Sequence, residues 1–425
     1  MTSPLLKPLA VACALGFAFL CAPGPVAAQP AARKMAVILV NFSDQTIDDV
    51  PAVKEKLVDL FIENPDSVAK YHAAQSHGQR TMTLAGGKVH GPITVDVASK
   101  CDMKPLTAKA EAALEGIPYD DLAVIFPGAK ADCAWGGLAE VPGKRSWYPV
   151  EHIGASTLAH ELGHNLGFSH QGRDICPPGV VTGCRTGDGH SKRTPMGGGG
   201  SKTGYSAPEL TKVKWLAADK VVTPAATANV ELVALHAPGS VRGTRAVDLP
   251  LPGGDRLMVE YRVPGMGVDV GITQGVNVYR VPAGKYGSAR IIDGSPQTTA
   301  EADNSVPVGS SLVANDISVT VVAAGATSAE VRIGIGPDAV AAPAKPSAPA
   351  KTTTSARPSS TSATSSTTSA PPSETVSEDD MIVMDPALAA AVPPEEDSQS
   401  PAYLVIAGAF VALLLGTLLV RRSRV

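Results

Sequence analysis

The stretch His160-Glu161-Leu162-Gly163-His164-Asn165-Leu166-Gly167-Phe168-Ser169-His170 places three imidazoles and a carboxylate at fixed spacing. His160 and His164 stand four residues apart. On a helix they lie about 40° apart around the axis, so both can reach one metal ion from one face. Glu161 sits beside the first of them, where it can take a proton from an attacking water. A continuing helix would carry His170 roughly 600° past His164, to the far side. Gly167 resolves this, because glycine can leave a helix in a left-handed turn at little steric cost. The chain can then fold back and present His170 as a third ligand. Three histidines leave one position of a tetrahedral zinc ion open, the pattern of catalytic rather than structural sites. The expected chemistry is hydrolysis with Zn²⁺ as cofactor.

Elements that could position these groups are legible on both sides. Met35 to Phe42 is a continuous apolar run and reads as a buried central strand. Asp48, Asp49 and Pro51 then open a helix with Val53, Leu57, Leu60 and Phe61 at helical spacing. A second helix follows from Ser67, with His72 and His77 read as surface or core-edge residues. Thr81 to Leu84, Ile93 to Val97 and Leu122 to Phe126 read as strands, and Thr107 to Leu114 as a helix. Ser156 is the expected N-cap of the histidine helix. The alternation predicts an α/β (α+β) layer with a twisted mixed sheet. The Gly- and Trp-containing segment from Cys133 to Val150 is placed to line a cleft.

Beyond Trp215 the pattern changes. Short apolar or alternating runs (Val230 to Leu235, Leu257 to Tyr261, Val276 to Val281, Ile317 to Val322, Val331 to Ile335) are separated by turn residues, and no helical period appears. Residues 219–336 therefore read as an all-β, sandwich-like domain. Residues 337–400 are dominated by Pro, Ala, Ser and Thr and read as a disordered stalk, since such a segment buries too little apolar surface to fold.

The ends carry targeting signals. Lys7, an apolar run from Leu9 to Cys21 and Val26-Ala27-Ala28 read as a signal peptide, residues 1–28. Ala402 to Val420 is uncharged, long enough for one transmembrane helix, and followed by Arg421, Arg422 and Arg424 as a basic cytoplasmic tail, residues 421–425. The expectation is an exported, single-pass surface protein anchored in the membrane by its C-terminal helix. Of six cysteines, Cys101, Cys133, Cys176 and Cys184 remain after the signal segment. Four cysteines in an exported chain predict two disulfides, with Cys101–Cys133 and Cys176–Cys184 the simplest of three pairings. A net charge of -4 gives no sign of a nucleic-acid partner. Nothing in the sequence sets an oligomeric state.

Beyond the histidine motif, the first domain resembles the gametolysin family of metzincin peptidases, M11. The likeness is carried by Val37-Ile38-Leu39-Val40-Asn41-Phe42-Ser43-Asp44, by Asp120-Asp121 before a strand ending Phe126-Pro127-Gly128, and by Cys133-Ala134-Trp135-Gly136-Gly137-Leu138. Ser146-Trp147, Gly187-Asp188, Pro195-Met196-Gly197, Tyr205-Ser206-Ala207-Pro208 and Lys214-Trp215-Leu216 continue it. It covers about residues 34–218, with Val259-Glu260-Tyr261-Arg262 the best match in the β domain. The resemblance implies a metzincin-like catalytic domain over residues 34–218. It implies a zinc endopeptidase with His160, His164 and His170 as metal ligands and Glu161 as general base. It also makes Met196 the Met-turn residue, an apolar floor beneath the histidines. Substrate would lie along an edge strand near Gly136, Gly137 and Leu138, held by strand addition. Gln171 after the third histidine and the flexible run Gly197 to Gly200 depart from the family pattern, and Gly198 stands where some metzincins carry a tyrosine ligand.

These features predict a membrane-anchored zinc endopeptidase acting on extracellular or cell-surface proteins. The alternative is a stalked adhesin or matrix-binding protein with a vestigial zinc site. The intact Glu161 favours the enzyme.

Overall fold

The computed structural model describes residues 32–294, 304–340 and 381–383. The predicted signal peptide, most of the stalk and the apolar run 402–420 lie outside them. Among the described residues no helix is long and apolar enough to cross a membrane.

The first half contains strands β1 (Arg33–Asn41), β2 (Met82–Leu84), β3 (His90–Thr94), β4 (Asp121–Phe126), β5 (Leu138–Glu140) and β6 (Arg145–Pro149). Its helices are α1 (Val50–Val58), α2 (Val68–Gln75), α3 (Met103–Ala113) and α4 (Ala155–Asn165). β1 runs parallel to β2, β3 and β4, β4 runs parallel to β6, and β5 is antiparallel to β6. The two faces of β1 explain its unbroken apolar run. Ala36, Ile38 and Val40 pack with Met103, Leu106 and Ala110 of α3. Met35, Val37 and Leu39 pack with Leu57, Phe61 and Val68 and with Leu158 and Leu162 of α4. Period-2 alternation therefore reports the two faces, and layers on both sides make both apolar. Asp49 and Ser67 cap α1 and α2 with their side chains, as their types predict. The third strand starts earlier than the reading from Ile93, at His90.

The second half continues with β7 (Gly172–Ile175), β8 (Arg185–His190), α5 (Ala207–Lys212), β9 (Val221–Val222), β10 (Ala228–Val233), β11 (Ala246–Pro250) and β12 (Arg256–Arg262). It ends with β13 (Gly275–Val281), β14 (Arg290–Asp293), β15 (Ser311–Ala314), β16 (Ile317–Ala324) and β17 (Ser328–Ile335). A sheet ordered β10-β17-β16-β15 faces another ordered β8-β7-β14-β13-β12-β11-β9. Their shared core includes Leu232, Val259, Val278, Val319 and Val331. The boundary read at residue 218 falls after β7 and β8, two strands of the second sheet. β7 follows the third histidine directly, yet it pairs with β14 of the β-rich half. The disulfide Cys176–Cys184 closes the β7–β8 hairpin, and Cys101–Cys133 joins the start of α3 to the loop before β5.

One segment departs from the stalk reading. Met381–Val383 forms a strand, β18, antiparallel to β5.

His72 is a second departure. It is buried in the core rather than at its edge, beside Tyr205, and burial lowers its pKa to about 3. His236 is also buried, bonded to the Tyr205 carbonyl at 3.0 Å, and burial lowers its pKa to about 4. Both are neutral in the fold and gain a proton on unfolding once the pH is below 6.5, the ordinary histidine value. Their contribution is complete above pH 6.5 and is lost as the pH falls toward the folded values. Each group accounts for about 1.4 kcal/mol per pH unit across that window. Urea unfolding between pH 6 and pH 4.5 is expected to show a stability slope that His236→Gln reduces by one proton. An unchanged slope would exclude His236 as an acid-sensitive group.

Candidate active site

The histidine helix is capped differently from the sequence expectation. Gly154 is the N-cap and makes no side-chain cap, while the Ser156 hydroxyl accepts from the Ser201 amide at 3.0 Å. Ser156 thus ties α4 to the loop after Met196. The other end forms as expected. Gly167 has φ of +87°, its N–H donates to His164 O at 2.7 Å, and Phe168 N–H donates to Gly163 O at 3.1 Å. This paired closure satisfies the last carbonyls and reverses the chain. The positive φ favours glycine there, and a Cβ at position 167 would also have to displace the end of the Lys212 side chain, meeting its Cε at 2.8 Å.

The reversal brings His170 back to the helix. One ring nitrogen from each of His160, His164 and His170 lies within 4.8 Å of the others. His160 Nε2 and His170 Nε2 are 3.0 Å apart. Ligands bonded to one tetrahedral zinc ion stand roughly 3.3 Å from each other, so the pair fits a shared cation. The outer nitrogens are already used: His160 Nδ1–H donates to Pro195 O at 2.9 Å and His164 Nδ1–H to Phe168 O at 2.7 Å. Those bonds select the tautomer that turns the Nε2 lone pair inward. His164 Nε2 is buried with no hydrogen-bond partner. A buried polar atom without a partner is costly unless something absent from the chain satisfies it, and a metal ion held by the three histidines would do so.

Glu161 is wholly buried, and neither carboxylate oxygen has a hydrogen-bond partner. Burial drives its pKa well above the usual carboxylate value. Gly137, immediately before β5, lies directly against it: a Cβ there would come within 2.7 Å of Glu161 Cγ and Oε1. Gly136, Gly137 and Leu138 are all buried beside the site. Asn165 at the end of α4 donates to Glu140 O at 3.1 Å and Arg145 O at 2.9 Å, which clamps the β5–β6 hairpin to the histidine helix.

Met196 is fully buried in the short turn Pro195–Gly197. It lies against Gly163, where an added Cβ would overlap its Sδ. The turn's backbone reaches His160 through the Pro195 carbonyl and the residue after His170 through a 2.9 Å bond from Gln171 N–H to Met196 O. Tyr205 is no ligand. Its hydroxyl donates to Ala159 O at 2.7 Å, bracing the helix from below.

A buried polar network fastens this turn, and sequence reasoning missed most of it. Gln171, a departure from the family pattern, accepts from Ser191 Oγ at 2.8 Å and donates to Ser206 Oγ at 2.9 Å. Glu209 accepts from Thr194 Oγ1 at 2.8 Å and Ser206 N–H at 2.6 Å, and burial raises its pKa to about 7. Arg262 of β12 donates to Arg193 O at 3.1 Å and Gly204 O at 3.0 Å, and pairs with Asp269 and Glu260. Glu260 in turn accepts from Ala207 N–H at 2.7 Å. The one available signal was the charged pair in Val259-Glu260-Tyr261-Arg262.

The family model for Gametolysin peptidase M11 matches residues 34–245. The chain belongs to the gametolysin peptidase family. As an M11 member it is a metallopeptidase, a hydrolase, and its histidine group is able to hold a metal. A comparison with curated proteins finds no match. Among solved structures, one described as a chaperone-substrate complex is similar at 14% identity and a TM-score of 0.24, over 42% of this chain. The chain covers only 30% of that structure's own length. Wild-type OgpA from Akkermansia muciniphila is similar at 11% identity and a TM-score of 0.29, over 63% of this chain and 94% of that one.

For this M11 peptidase the contact between Gly137 and Glu161 gives a direct test. Gly137→Ala forces a methyl group against the Glu161 side chain, which must shift to admit it. Misplacing a reacting group by a fraction of an ångström costs tenfold to about a hundredfold in rate. Steady-state kinetics are expected to show that loss in kcat, with KM changed much less. A variant with unaltered kcat would mean that Glu161 does not act from the position observed.

Proposed function

We propose that the protein is an exported, membrane-anchored zinc endopeptidase that cleaves extracellular or cell-surface proteins. The observation that carries the catalytic part is the buried, partnerless Glu161 carboxylate beside three histidines whose ring nitrogens converge. His160, His164 and His170 would hold Zn²⁺, imidazole being a donor that suits it. When bound, zinc polarises the scissile carbonyl and makes water more acidic. Glu161 takes the proton of the attacking water and delivers it to the leaving amine nitrogen. The β5 backbone aligns the substrate strand, and Met196 supplies the apolar floor. The secretion and anchoring part rests on residues 1–28 and 402–425 as sequence.

The test is digestion of a denatured protein mixture by the purified chain, with and without chelator, followed by N-terminal mapping of the fragments. New internal termini that vanish with chelator and return with Zn²⁺ are expected. Termini that persist unchanged in chelator, or no cleavage in the metal-loaded chain, would sink the reading. Fractionation of cells producing the chain tests the anchor separately: recovery solely in the soluble fraction removes it.

A further inference from the structure

The strand β18 lies where a substrate would lie. It pairs antiparallel with β5 in the register Met381↔Glu140, Ile382↔Ala139 and Val383↔Leu138. β5 has β6 on its other side, so β18 takes the remaining edge of β5. The direction of pairing matters. Val383 stands opposite Leu138, and the next residue of the first strand toward the site is Gly137, which touches Glu161. A chain entering in this register therefore advances toward the carboxylate and the three histidines. The composition of the segment agrees independently. Met381-Ile382-Val383-Met384 is a run of four apolar residues following the acidic Ser377-Glu378-Asp379-Asp380, within a tract otherwise rich in Ser, Thr and Pro. Ile382 and Val383 are β-branched and favour a strand.

We propose that residues 381–383 occupy the cleft strand in cis and compete with substrate for it. This rests on the peptidase reading of the site. Reach is no obstacle: the 40 residues between Val340 and Met381 span up to about 130 Å when extended. A tether of that length presents its end at a low-millimolar effective concentration. Three residues of backbone pairing form a weak contact by themselves, so the restraint is modest and reversible. Substrates that pair over a longer stretch of the cleft displace it.

Two measurements on the full chain test this. The first is hydrogen exchange in a Glu161→Gln background, which removes self-cleavage. Combining Met381→Gly, Ile382→Pro and Val383→Gly is expected to speed exchange of the Leu138–Glu140 amides at least about twofold, while Arg145–Pro149 stays protected. Equal exchange in both chains overturns the proposal whatever the catalytic outcome. The second restores Glu161 and measures hydrolysis of an unrelated peptide. The triple variant is expected to gain about two- to tenfold in kcat/KM, and a free peptide of residues 377–387 at millimolar concentration to reverse the gain. An unchanged kcat/KM in two active chains overturns the restraint but leaves the peptidase reading intact. A chain cleaved just after Val383 only when Glu161 is present makes the segment a substrate and likewise overturns it. An exchange difference without hydrolysis by either metal-loaded chain removes the peptidase reading, and the restraint with it.

Discussion

Glu161→Gln is expected to lower kcat about 10²- to 10⁴-fold while bound metal per chain stays the same. Glutamine has nearly the shape of glutamate, so it fits the space against Gly137 without new overlap. It cannot accept a proton at neutral pH, and this is the property the variant removes. The three histidines do not depend on Glu161, since neither of its oxygens bonds to any of them. His160 and His164 are instead oriented by the carbonyls of Pro195 and Phe168. Metal content by elemental analysis, measured beside peptide hydrolysis, separates the two roles. A variant that hydrolyses at the wild-type rate would remove Glu161 as the base. One that loses metal along with activity would make it a support of the site rather than a participant.

Arg262→Met is expected to destabilise the chain by about 3–5 kcal/mol, the usual cost of stranding a buried charge. Arg262 and its neighbours Glu260 and Asp269 are almost completely buried. Burial pulls the guanidinium pKa down, but Asp269 and Glu260 more than restore it, so the ion stays charged. Removing it leaves two buried carboxylates without their shared cation and frees the carbonyls of Arg193 and Gly204. Those carbonyls bracket the Met196 turn, so metal affinity is expected to fall together with stability. Arg262→Lys should rescue little, because one ammonium cannot reproduce a planar fork aimed at several acceptors. Denaturant unfolding with zinc titration checks both effects. An unfolding midpoint equal to wild type would show that the network does not hold the turn.

This coupling also changes the role of the β-rich half. Leu257, Val259 and Tyr261 point into the sandwich, whereas Met258, Glu260 and Arg262 face the peptidase half. From Val259 to Arg262 the strand alternates apolar and polar, a pattern that a half-exposed strand shares. Here the polar face is instead buried against the turn that carries Met196. The same limit explains His72 and His236, whose side chains are core groups that no periodicity distinguishes from surface ones. Ser156 has the right type and position for a helix cap, yet the loop from Pro195 to Ser201 packs close enough to use its hydroxyl instead. The stalk reading of residues 337–400 followed from average composition, which hides a run of four apolar residues.

By itself the sequence determined the local chemistry: three imidazoles and a carboxylate at spacings set by helix geometry, and a glycine able to reverse the chain between the second and third histidines. It determined the central strand as well, because burial on both faces leaves an unbroken apolar run. Tertiary structure alone decided which groups stand behind those histidines, what lies against Glu161, and which edge the strand Met381–Val383 joins. The reason is physical. Helix and turn geometry act over a few residues and can be read from spacing. Contacts such as Arg262 with Arg193, or Gly137 with Glu161, are made across the fold, and their worth depends on a burial that no short window of sequence contains.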